Sequence, residues 1–177
     1  MSLKRQVSAD LSRIYQTTSA VSALKALALS TAFNAAFLYR LSHAVFPKNR
    51  PIALLIARLN IALNGIDIDP RASIDDGILF QHPTGVVIGG GVEIGAYCTL
   101  MGGITIGRKK IGFDSHEGYP TIGAGVVVGA NASILGEIKV GNESTIGASS
   151  VLLASTEDGS VWAGNPARII RATQRIN

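Results

Sequence analysis

Aliphatic side chains recur at every sixth position through the second half of the chain. An α-helix repeats every 3.6 residues and a flat strand every two, so neither produces this pattern. A fixed period of six is typical of a hexapeptide β-helix, in which each hexapeptide supplies one short strand and one turn. We therefore predict a solenoid of triangular coils with these side chains pointing inward. The recurring positions are Ile68, Ile74 and Phe80; Ile88, Ile94, Leu100 and Ile106; and Ile122, Val128, Ile134, Val140, Ile146 and Leu152.

A second, smaller position of the repeat supports the same fold. It follows the aliphatic residue by four places and carries a small or modest apolar side chain. Glycine often follows the aliphatic residue directly, as Gly95 and Gly129 do, and it supplies a turn conformation that β-branched residues resist. We expect the smaller position to face the core as well. Its members are Ala72, Ile78, Cys98, Ile104, Val126, Ala132, Ile138, Ser144 and Ser150.

The N-terminal part of the chain lacks this repeat and has a helical pattern. Residues 22–46 are mostly strong helix formers with apolar groups nearly all round, which predicts a helix packed on most sides. Pro47 ends it, and a second helix over 52–63 stops at the C-cap sequence Asn64–Gly65. The first twenty residues allow a further short helix. The predicted domains are an α-helical cap over 1–65, a β-helix domain over 66–163 with a loop at 108–120, and a C-terminal segment or helix over 164–177.

Two interruptions of the lattice indicate where chemistry is to be sought. The step from Phe80 to Ile88 is eight residues long, and the step from Ile106 to Ile122 is sixteen. A repeat core accepts insertions only at its corners, where they project as loops that commonly form a binding face. The short insertion contains His82.

Charge divides the chain into two unlike parts. Residues 1–50 carry seven basic side chains against one acid, whereas residues 51–177 carry nine basic and eleven acidic ones. A nucleic-acid surface needs clustered Arg and Lys interleaved with aromatic residues, which the second part lacks, so no nucleic-acid partner is expected. The basic cap is compatible with an anionic membrane surface or with an ordinary solvated helical face.

The uncharged segment 26–39 does not reach the length of a membrane span. It has fourteen residues, whereas a bilayer crossing needs roughly 18–20. A signal sequence is not visible either, because Asp10 and Arg13 stand where the apolar stretch belongs. We expect a cytoplasmic protein, with peripheral contact of the cap with the inner membrane as the alternative.

Several motifs together resemble the serine O-acetyltransferase branch of the hexapeptide-repeat acyltransferases, close to the relatives that acetylate capsule or exopolysaccharide. The resemblance covers about residues 65–170. It implies a left-handed β-helix, a homotrimer with active sites between neighbouring subunits, and acetyl-CoA as acetyl donor. The motifs are Asp67–Pro70 (DIDP), His82–Gly85 (HPTG), Thr105–Gly107 (TIG), Pro120–Gly123 (PTIG), Gly129–Ala132 (GANA) and Gly164–Ile169 (GNPARI).

The resemblance implies that His82 is the catalytic histidine and Asp67 its partner. Fifteen residues separate them, nearly one circuit, so they can meet on adjacent coils. Imidazole suits the removal of an alcohol proton near neutral pH, and a carboxylate fixes its tautomer. A structural turn histidine remains the alternative for His82. For Asp67 the alternatives are a turn carboxylate, or Asp69 in its place. A backbone N–H between Gly102 and Gly107 is a candidate oxyanion donor.

Two departures from the family pattern concern the acceptor. Gln81 stands where the serine enzymes have an aspartate before the histidine, and Tyr119 stands where they have a second histidine. These positions help to hold the amino acid, so with the short cap the changes favour a sugar hydroxyl of a surface polysaccharide. We expect Gln81, Tyr119 and His116 to contact the acceptor; for His116 a solvated loop residue is the alternative. Serine acetylation and a non-catalytic β-helix scaffold are the alternative functions.

For CoA, the resemblance places the pantetheine arm near Gly107, Ala130 and Ala148. Arg168 would meet the nucleotide phosphates, with Arg171 and Arg175 at helical spacing beside it, unless this segment is a solvated helix. Cys98 falls on the smaller inward position, which favours direct transfer over an acyl-cysteine intermediate. Three scattered histidines without ligand spacing predict no metal site, and His43 is interpreted as a packed or surface residue of the cap.

Overall fold

The computed structural model describes residues 2–16, 19–109 and 118–172. Helices occupy the first part of these ranges and short strands the rest. The helices are α1 (Leu3–Tyr15), α2 (Ala20–Leu29), α3 (Thr31–Val45) and α4 (Arg50–Asn64). The strands are β1 (Asp67–Ile68), β2 (Ser73–Ile74), β3 (Leu79–Gln81), β4 (Val87–Ile88), β5 (Glu93–Ile94), β6 (Thr99–Met101), β7 (Thr105–Gly107), β8 (Thr121–Ile122), β9 (Val127–Val128), β10 (Ser133–Leu135), β11 (Lys139–Val140), β12 (Thr145–Ile146), β13 (Val151–Leu152), β14 (Val161–Gly164) and β15 (Ala167–Arg171).

The strands form three parallel sheets that close a solenoid. Sheet A has the order β1-β4-β7-β10-β13, sheet B the order β2-β5-β8-β11, and sheet C the order β3-β6-β9-β12-β14, with β15 at its edge. Each coil gives one strand to each sheet, so β1 to β12 make four coils and β13 and β14 extend a fifth. The predicted fold class is confirmed: a parallel β-solenoid behind an N-terminal helical region, consistent with a left-handed β-helix.

The core is built from the six-residue lattice. All of its positions are buried, and each of these residues has at most 3% of its surface exposed to solvent. Register stacks equivalent residues on successive coils, so Ile88 lies between Ile68 and Ile106 in sheet A. The smaller positions are buried too. Hydrophobic burial therefore fixes both the strand register and the inward direction that the sequence predicts.

Cys98 is a core residue, as the repeat predicts. It is fully buried, and its thiol donates to the Gly123 carbonyl at 3.1 Å. Burial raises the pKa of the thiol to about 11, so the thiolate that a nucleophile needs is disfavoured at neutral pH.

The path of the cap differs from the prediction, because residues 22–46 are not a single helix. The chain bends by 102° between α2 and α3. Ser30 is the cause: it has extended backbone angles (φ −111°, ψ 105°), and its hydroxyl accepts the N–H of Phe33 at 3.2 Å. A serine in this role caps the next helix and ends the one before it. The predicted C-cap at Gly65 is confirmed, with φ 66°.

The helices also bear on membrane insertion. Within the described ranges, none is by itself both long enough and apolar enough to cross a bilayer. Among the described helices, α2 and α3 taken together meet the length and composition requirement, and they do so as the sharply bent pair.

A buried ion pair fastens the cap to the first coil. The side chains of Arg40 on α3 and Asp10 on α1 are each 1% exposed, with Nε and Oδ2 3.0 Å apart. Arg40 also donates to the carbonyls of Ile74 and Asp75, and Asp10 accepts the N–H of Ile78 at 3.0 Å. Burial raises the pKa of Asp10, while the Arg40 guanidinium acts in the opposite direction. Every charge in the pair therefore has a partner from another element.

Within the described residues, the C-terminal segment forms strand β15 over Ala167–Arg171, so the helix that was one possibility for 164–177 is wrong there. β15 pairs antiparallel with β14, and this pairing supplies backbone partners at the edge of sheet C. Gly164 at φ 100° starts the reversal between the two strands, and Pro166, which lacks an N–H, disfavours a helix there. The last described residues thus extend the solenoid.

Candidate functional site

One edge of the solenoid collects His82 and two of the predicted CoA residues. We call it the C/A corner: residues 82–86, 102–104, 129–132 and 147–150, which join a strand of sheet C to the next strand of sheet A. Backbone hydrogen bonds run along it from coil to coil. They connect the N–H groups of Gly85, Gly103, Asn131 and Ser149 to the carbonyls of Gly65, Thr84, Gly102 and Ala130 at 2.8–2.9 Å.

His82 is exposed at this corner, directly after β3. Its backbone is left-handed, with φ 57°, a conformation uncommon for residues other than glycine. Tyr97, Asn131 and Ser149 adopt the same conformation in other turns of the solenoid. The conformation therefore belongs to the repeat turn and is no mark of catalysis. What distinguishes His82 is its chemistry at an exposed corner.

The next coil lies very close beneath His82. A Cβ atom placed on Gly102 would lie 2.3 Å from the His82 carbonyl oxygen. Only glycine permits this approach, so Gly102 allows the turn that carries the His82 imidazole to pack directly on the next coil.

Asp67 lies on the coil next to His82. Its N–H donates to Val86 at 2.8 Å, and β1 pairs in register with β4, which follows the His82 turn. Both side chains are exposed, and among the described contacts neither makes a side-chain hydrogen bond. The fold brings the two segments together, and the proposed Asp67–His82 hydrogen bond stays a prediction.

Asp69, the competing carboxylate, is already engaged. Its side chain accepts from the Arg71 guanidinium at 2.6 and 2.9 Å and from the Arg71 N–H at 2.9 Å. Arg71 holds the pKa of Asp69 below its ordinary value, although partial burial acts against this. Asp67 is therefore the better candidate partner for His82.

The two predicted acceptor residues that the structure describes, Gln81 and Tyr119, lie at different corners of the solenoid. Gln81 is exposed at the end of β3, in register with Met101 and next to His82. Tyr119 lies at the opposite edge of sheet A, after β7 and before β8. We call this edge the A/B corner: residues 69–72, 89–92, 108–109 with 118–120, and 136–138, which join a strand of sheet A to the next strand of sheet B. Its ring covers the turn of Gly89 and Gly91, and a Cβ on Gly91 would lie 2.2 Å from it.

A cation stacks on Tyr119 at the A/B corner. The Arg108 guanidinium carbon is 5.1 Å from the centre of the tyrosine ring, within cation–π range. The third predicted acceptor residue, His116, lies outside the described residues.

The predicted CoA residues are divided in the same way. Gly107 ends β7 at the A/B corner, and a Cβ there would have no atom within 4 Å, so open space adjoins it. Ala130 and Ala148 stack at the C/A corner, where Ala130 is half-buried and Ala148 exposed. Sheet A thus separates Gly107 from the two alanines.

Arg168 stands on β15 instead of on a helix. It is exposed, and its guanidinium donates to the Ala167 carbonyl at 3.0 Å. A register shift in the β14–β15 pair sets Arg168 opposite Ala163 and Arg171 opposite Val161. Because Ala163 and Val161 are two residues apart on one strand, the two arginines share a face of the hairpin. Arg175 lies outside the described residues.

A cavity beside Asp67 was not foreseen from the sequence. It has a volume of about 400 Å³ and lies between α4 and the start of the solenoid. Leu54, Arg58 and Ile61 line it on the α4 side, and residues 67–70 on the other. The sequence did contain a signal for this cavity: α4 has apolar residues on several sides, and the helix prediction did not ask which of them face the solenoid.

His43 has the structural role that the sequence favours. Its Nδ1 lies 2.8 Å from the Pro70 carbonyl, and its ring is 5.8 Å from that of Tyr39. It therefore fastens α3 to the first coil.

Comparison with known proteins gives consistent matches. A family model described as bacterial transferase hexapeptide (six repeats) matches residues 119–154. Serine acetyltransferase from Helicobacter pylori is 37% identical over 147 residues, covering 81% of this chain and 84% of that protein. The structure of soybean serine acetyltransferase complexed with serine has a TM-score of 0.85 and 36% identity, covering 96% of this chain and 70% of that one.

The length of the match varies among the relatives. Serine acetyltransferase 2 from Arabidopsis thaliana is 35% identical over 137 residues, or 77% of this chain. The chain spans only 42% of the length of that protein.

Proposed function

Because the chain belongs to the hexapeptide-repeat acyltransferase family, with serine acetyltransferases as homologues, we propose that it transfers acetyl from acetyl-CoA to an alcohol hydroxyl. The observation that carries the proposal is the exposed imidazole of His82 at the C/A corner. It stands in the histidine motif of the family, in a chain that aligns with soybean serine acetyltransferase over 96% of its length.

In the proposed reaction, His82 acts as general base. One ring nitrogen takes the proton of the acceptor hydroxyl while its oxygen attacks the thioester carbonyl. The C–S bond then breaks, the acetyl ester remains on the acceptor, and the imidazolium returns the proton to the CoA sulfur. Asp67 accepts a hydrogen bond from the other ring nitrogen and stabilises the imidazolium. The buried, protonated Cys98 takes no part, so transfer is direct.

L-Serine is the first candidate acceptor. The support is the consistent naming of the homologues, among them the soybean enzyme in complex with serine. In this chain a serine bound near His82 would lie next to Gln81, whose amide can donate to the serine carboxylate as well as accept from its ammonium group.

A sugar hydroxyl of a surface polysaccharide is the second candidate. Gln81 and Tyr119 replace the charged aspartate and the histidine that the serine branch has at these positions. An amide and an aromatic ring are common partners for neutral hydroxylated ligands, because they offer hydrogen bonds and an apolar surface without charge.

A homotrimer would complete this site. His82, Ala130 and Ala148 lie at the C/A corner, whereas Gly107 and Tyr119 lie at the A/B corner. A ligand that touches both sets needs the second corner from another copy, and a closed ring of three supplies it. The pantetheine arm of CoA would then run between two solenoids, with its phosphates toward Arg168 and Arg171.

The test follows release of free CoA thiol by the full chain with acetyl-CoA and either L-serine or a panel of sugars. We expect turnover with one class of acceptor. His82→Asn keeps a residue that tolerates the left-handed turn and removes the base, so the rate should fall by roughly 10²–10⁴. Glu143→Asn, at another left-handed turn (φ 55°), is the matched control and should keep its rate.

The outcomes separate the candidates. Brisk turnover with serine alone would reject the sugar hydroxyl, and the reverse result would reject serine. Absence of thiol release with every acceptor, or full activity of His82→Asn, would overturn the proposal and favour a non-catalytic scaffold.

A further inference from the structure

The cap exposes a continuous apolar surface that the solenoid does not cover. We call it the outer cap face. On α2, Val21, Leu24 and Leu29 are 65%, 70% and 81% exposed. For the α2 part of segment 22–46, the prediction of a helix packed on most sides therefore fails within one chain, whereas α3 is largely buried. The face consists of Val21, Leu24, Ala28 and Leu29 on α2, and Ile52, Leu55, Leu59 and Leu63 on α4.

On α4 these residues form one stripe away from the protein. Ala53, Asn60 and Asn64 are the buried positions of α4, and α3 is its main neighbour. Ile52, Leu55, Leu59 and Leu63 follow an i, i+3, i+7, i+11 spacing, which places them along the other side of the helix. The stripe is therefore a feature of the helix periodicity. At Leu55 it borders the cavity near Asp67, which Leu54 and Ile61 line from the adjoining side of the helix.

The α2 and α4 parts of the face are joined. Leu29 at the end of α2 and Leu63 at the end of α4 line one small cavity, together with Ser30 and Thr31. The bend at Ser30 thus turns α2 so that its exposed side continues the stripe of α4. A surface of this extent on a monomer marks a site of interaction.

The helices that carry the face have charges of one sign, whereas two carboxylates of the solenoid, Asp67 and Asp69, line the cavity that Leu55 and Arg58 also border. Between Leu11 and Ile66 the sequence has six basic residues and no acidic residue. Arg40 is consumed by the buried pair with Asp10. Four cations of this stretch, Lys25, Lys48, Arg50 and Arg58, are exposed on or beside α2 and α4.

This combination favours one occupant. A second copy placed symmetrically on the face would bring two sets of cations together, which opposes association. An anionic bilayer complements the charge, accepts the leucines among its acyl chains, and lets lysine and arginine reach the headgroups. We propose that the outer cap face binds peripherally to an anionic lipid bilayer.

The direct test is co-sedimentation of the full chain with vesicles. Phosphatidylcholine vesicles with and without phosphatidylglycerol are compared at low and at high salt. We expect at least about tenfold stronger binding to the anionic vesicles, and loss of most of it at high salt, because screening weakens the attraction to headgroups. Equal binding to both vesicles, or to neither, would overturn the proposal.

Two variants divide the apolar from the electrostatic contribution. Leu24→Asn with Leu59→Asn removes apolar anchors, and Lys25→Glu with Lys48→Glu reverses charge. Each pair should lower vesicle binding about fivefold or more, without changing thermal unfolding or thiol release with a soluble acceptor. Leu153→Asn with Lys139→Glu is the matched control: both residues are exposed on the solenoid, and binding should not change.

Sedimentation velocity without vesicles identifies the competing occupant. If the Leu24→Asn and Leu59→Asn pair reduces the size of the assembly and the wild type ignores anionic vesicles, the face is a contact between copies of the chain. That result would contradict the lipid assignment. An unchanged assembly size together with lost vesicle binding would support it.

Discussion

The helical cap and the solenoid of this chain obtain their order in different ways. In the solenoid, each coil repeats the one before it, so one residue such as Ile88 is buried by its own equivalents above and below. In the cap, order depends on single contacts, above all the Asp10–Arg40 pair, and two helices leave large apolar side chains in solvent. In the solenoid, functional residues can stand at the corners without disturbing the core, whereas in the cap the exposed apolar side chains form a surface for binding.

The largest expected effect tests the joint between the two regions. Arg40→Ala leaves the Asp10 carboxylate buried without its cation, and breaking a buried pair in this way costs about 3–5 kcal/mol. Urea denaturation should show this loss in the free energy of unfolding. Asp10→Leu with Arg40→Met replaces both charges by apolar groups and should be less harmful than Arg40→Ala alone. Equal losses would mean that the unpaired Asp10 charge is not the cause of the destabilisation.

The second prediction contrasts the two kinds of apolar residue. Ile88→Ala opens a void in the stacked core and should lower the free energy of unfolding by about 2–5 kcal/mol. Leu55→Ala on the outer cap face, where the side chain is 67% exposed, should change it by less than about 0.5 kcal/mol. Thermal and urea unfolding measure both. A large loss for Leu55→Ala would mean that another copy buries this residue.

The third prediction concerns the corners of the solenoid. Gly102→Ala forces its Cβ against the His82 carbonyl and should cost about 1–3 kcal/mol. Gly141→Ala is the matched change, since its Cβ would lie 2.4 Å from the Asp158 nitrogen at another corner. Both should lose stability, but only Gly102→Ala should also reduce acetyl transfer at temperatures where the protein stays folded. Equal activity losses would argue against a site at the C/A corner.

The last effect comes from Cys98 and appears only at alkaline pH. Its folded pKa, raised to about 11, exceeds the unfolded value near 8.5. Above pH 8.5 the unfolded chain gives up the thiol proton while the folded chain keeps it. The free energy of unfolding should therefore fall as the pH rises from about 8.5 to 11, by about 1–3 kcal/mol. Cys98→Ala should remove this part of the pH dependence, as urea denaturation at several pH values can show; an unchanged slope would contradict it.

The candidate site was predictable only in part. Motif position and the eight-residue step identified His82 as a corner residue, because an insertion in a repeat must leave the core. The sequence did not show that Gly107 and Tyr119 lie at one edge of sheet A while Ala130 and Ala148 lie at the other. This separation depends on which corner of the coil each residue occupies. The engagement of Asp69 by Arg71 also required side-chain geometry.

The sequence by itself determined the solenoid, its core positions and its corners, because a period of six repeats the same local burial on every coil. The tertiary structure decided what occurs only once. It paired Asp10 with Arg40 across thirty residues, turned α2 away from α3 at Ser30, and made the last described segment a strand on the edge left by β14. A repeat presents the same burial pattern many times along the sequence, so it can be recognised there. A single long-range contact leaves no such pattern, because it depends on where the whole chain places its two partners.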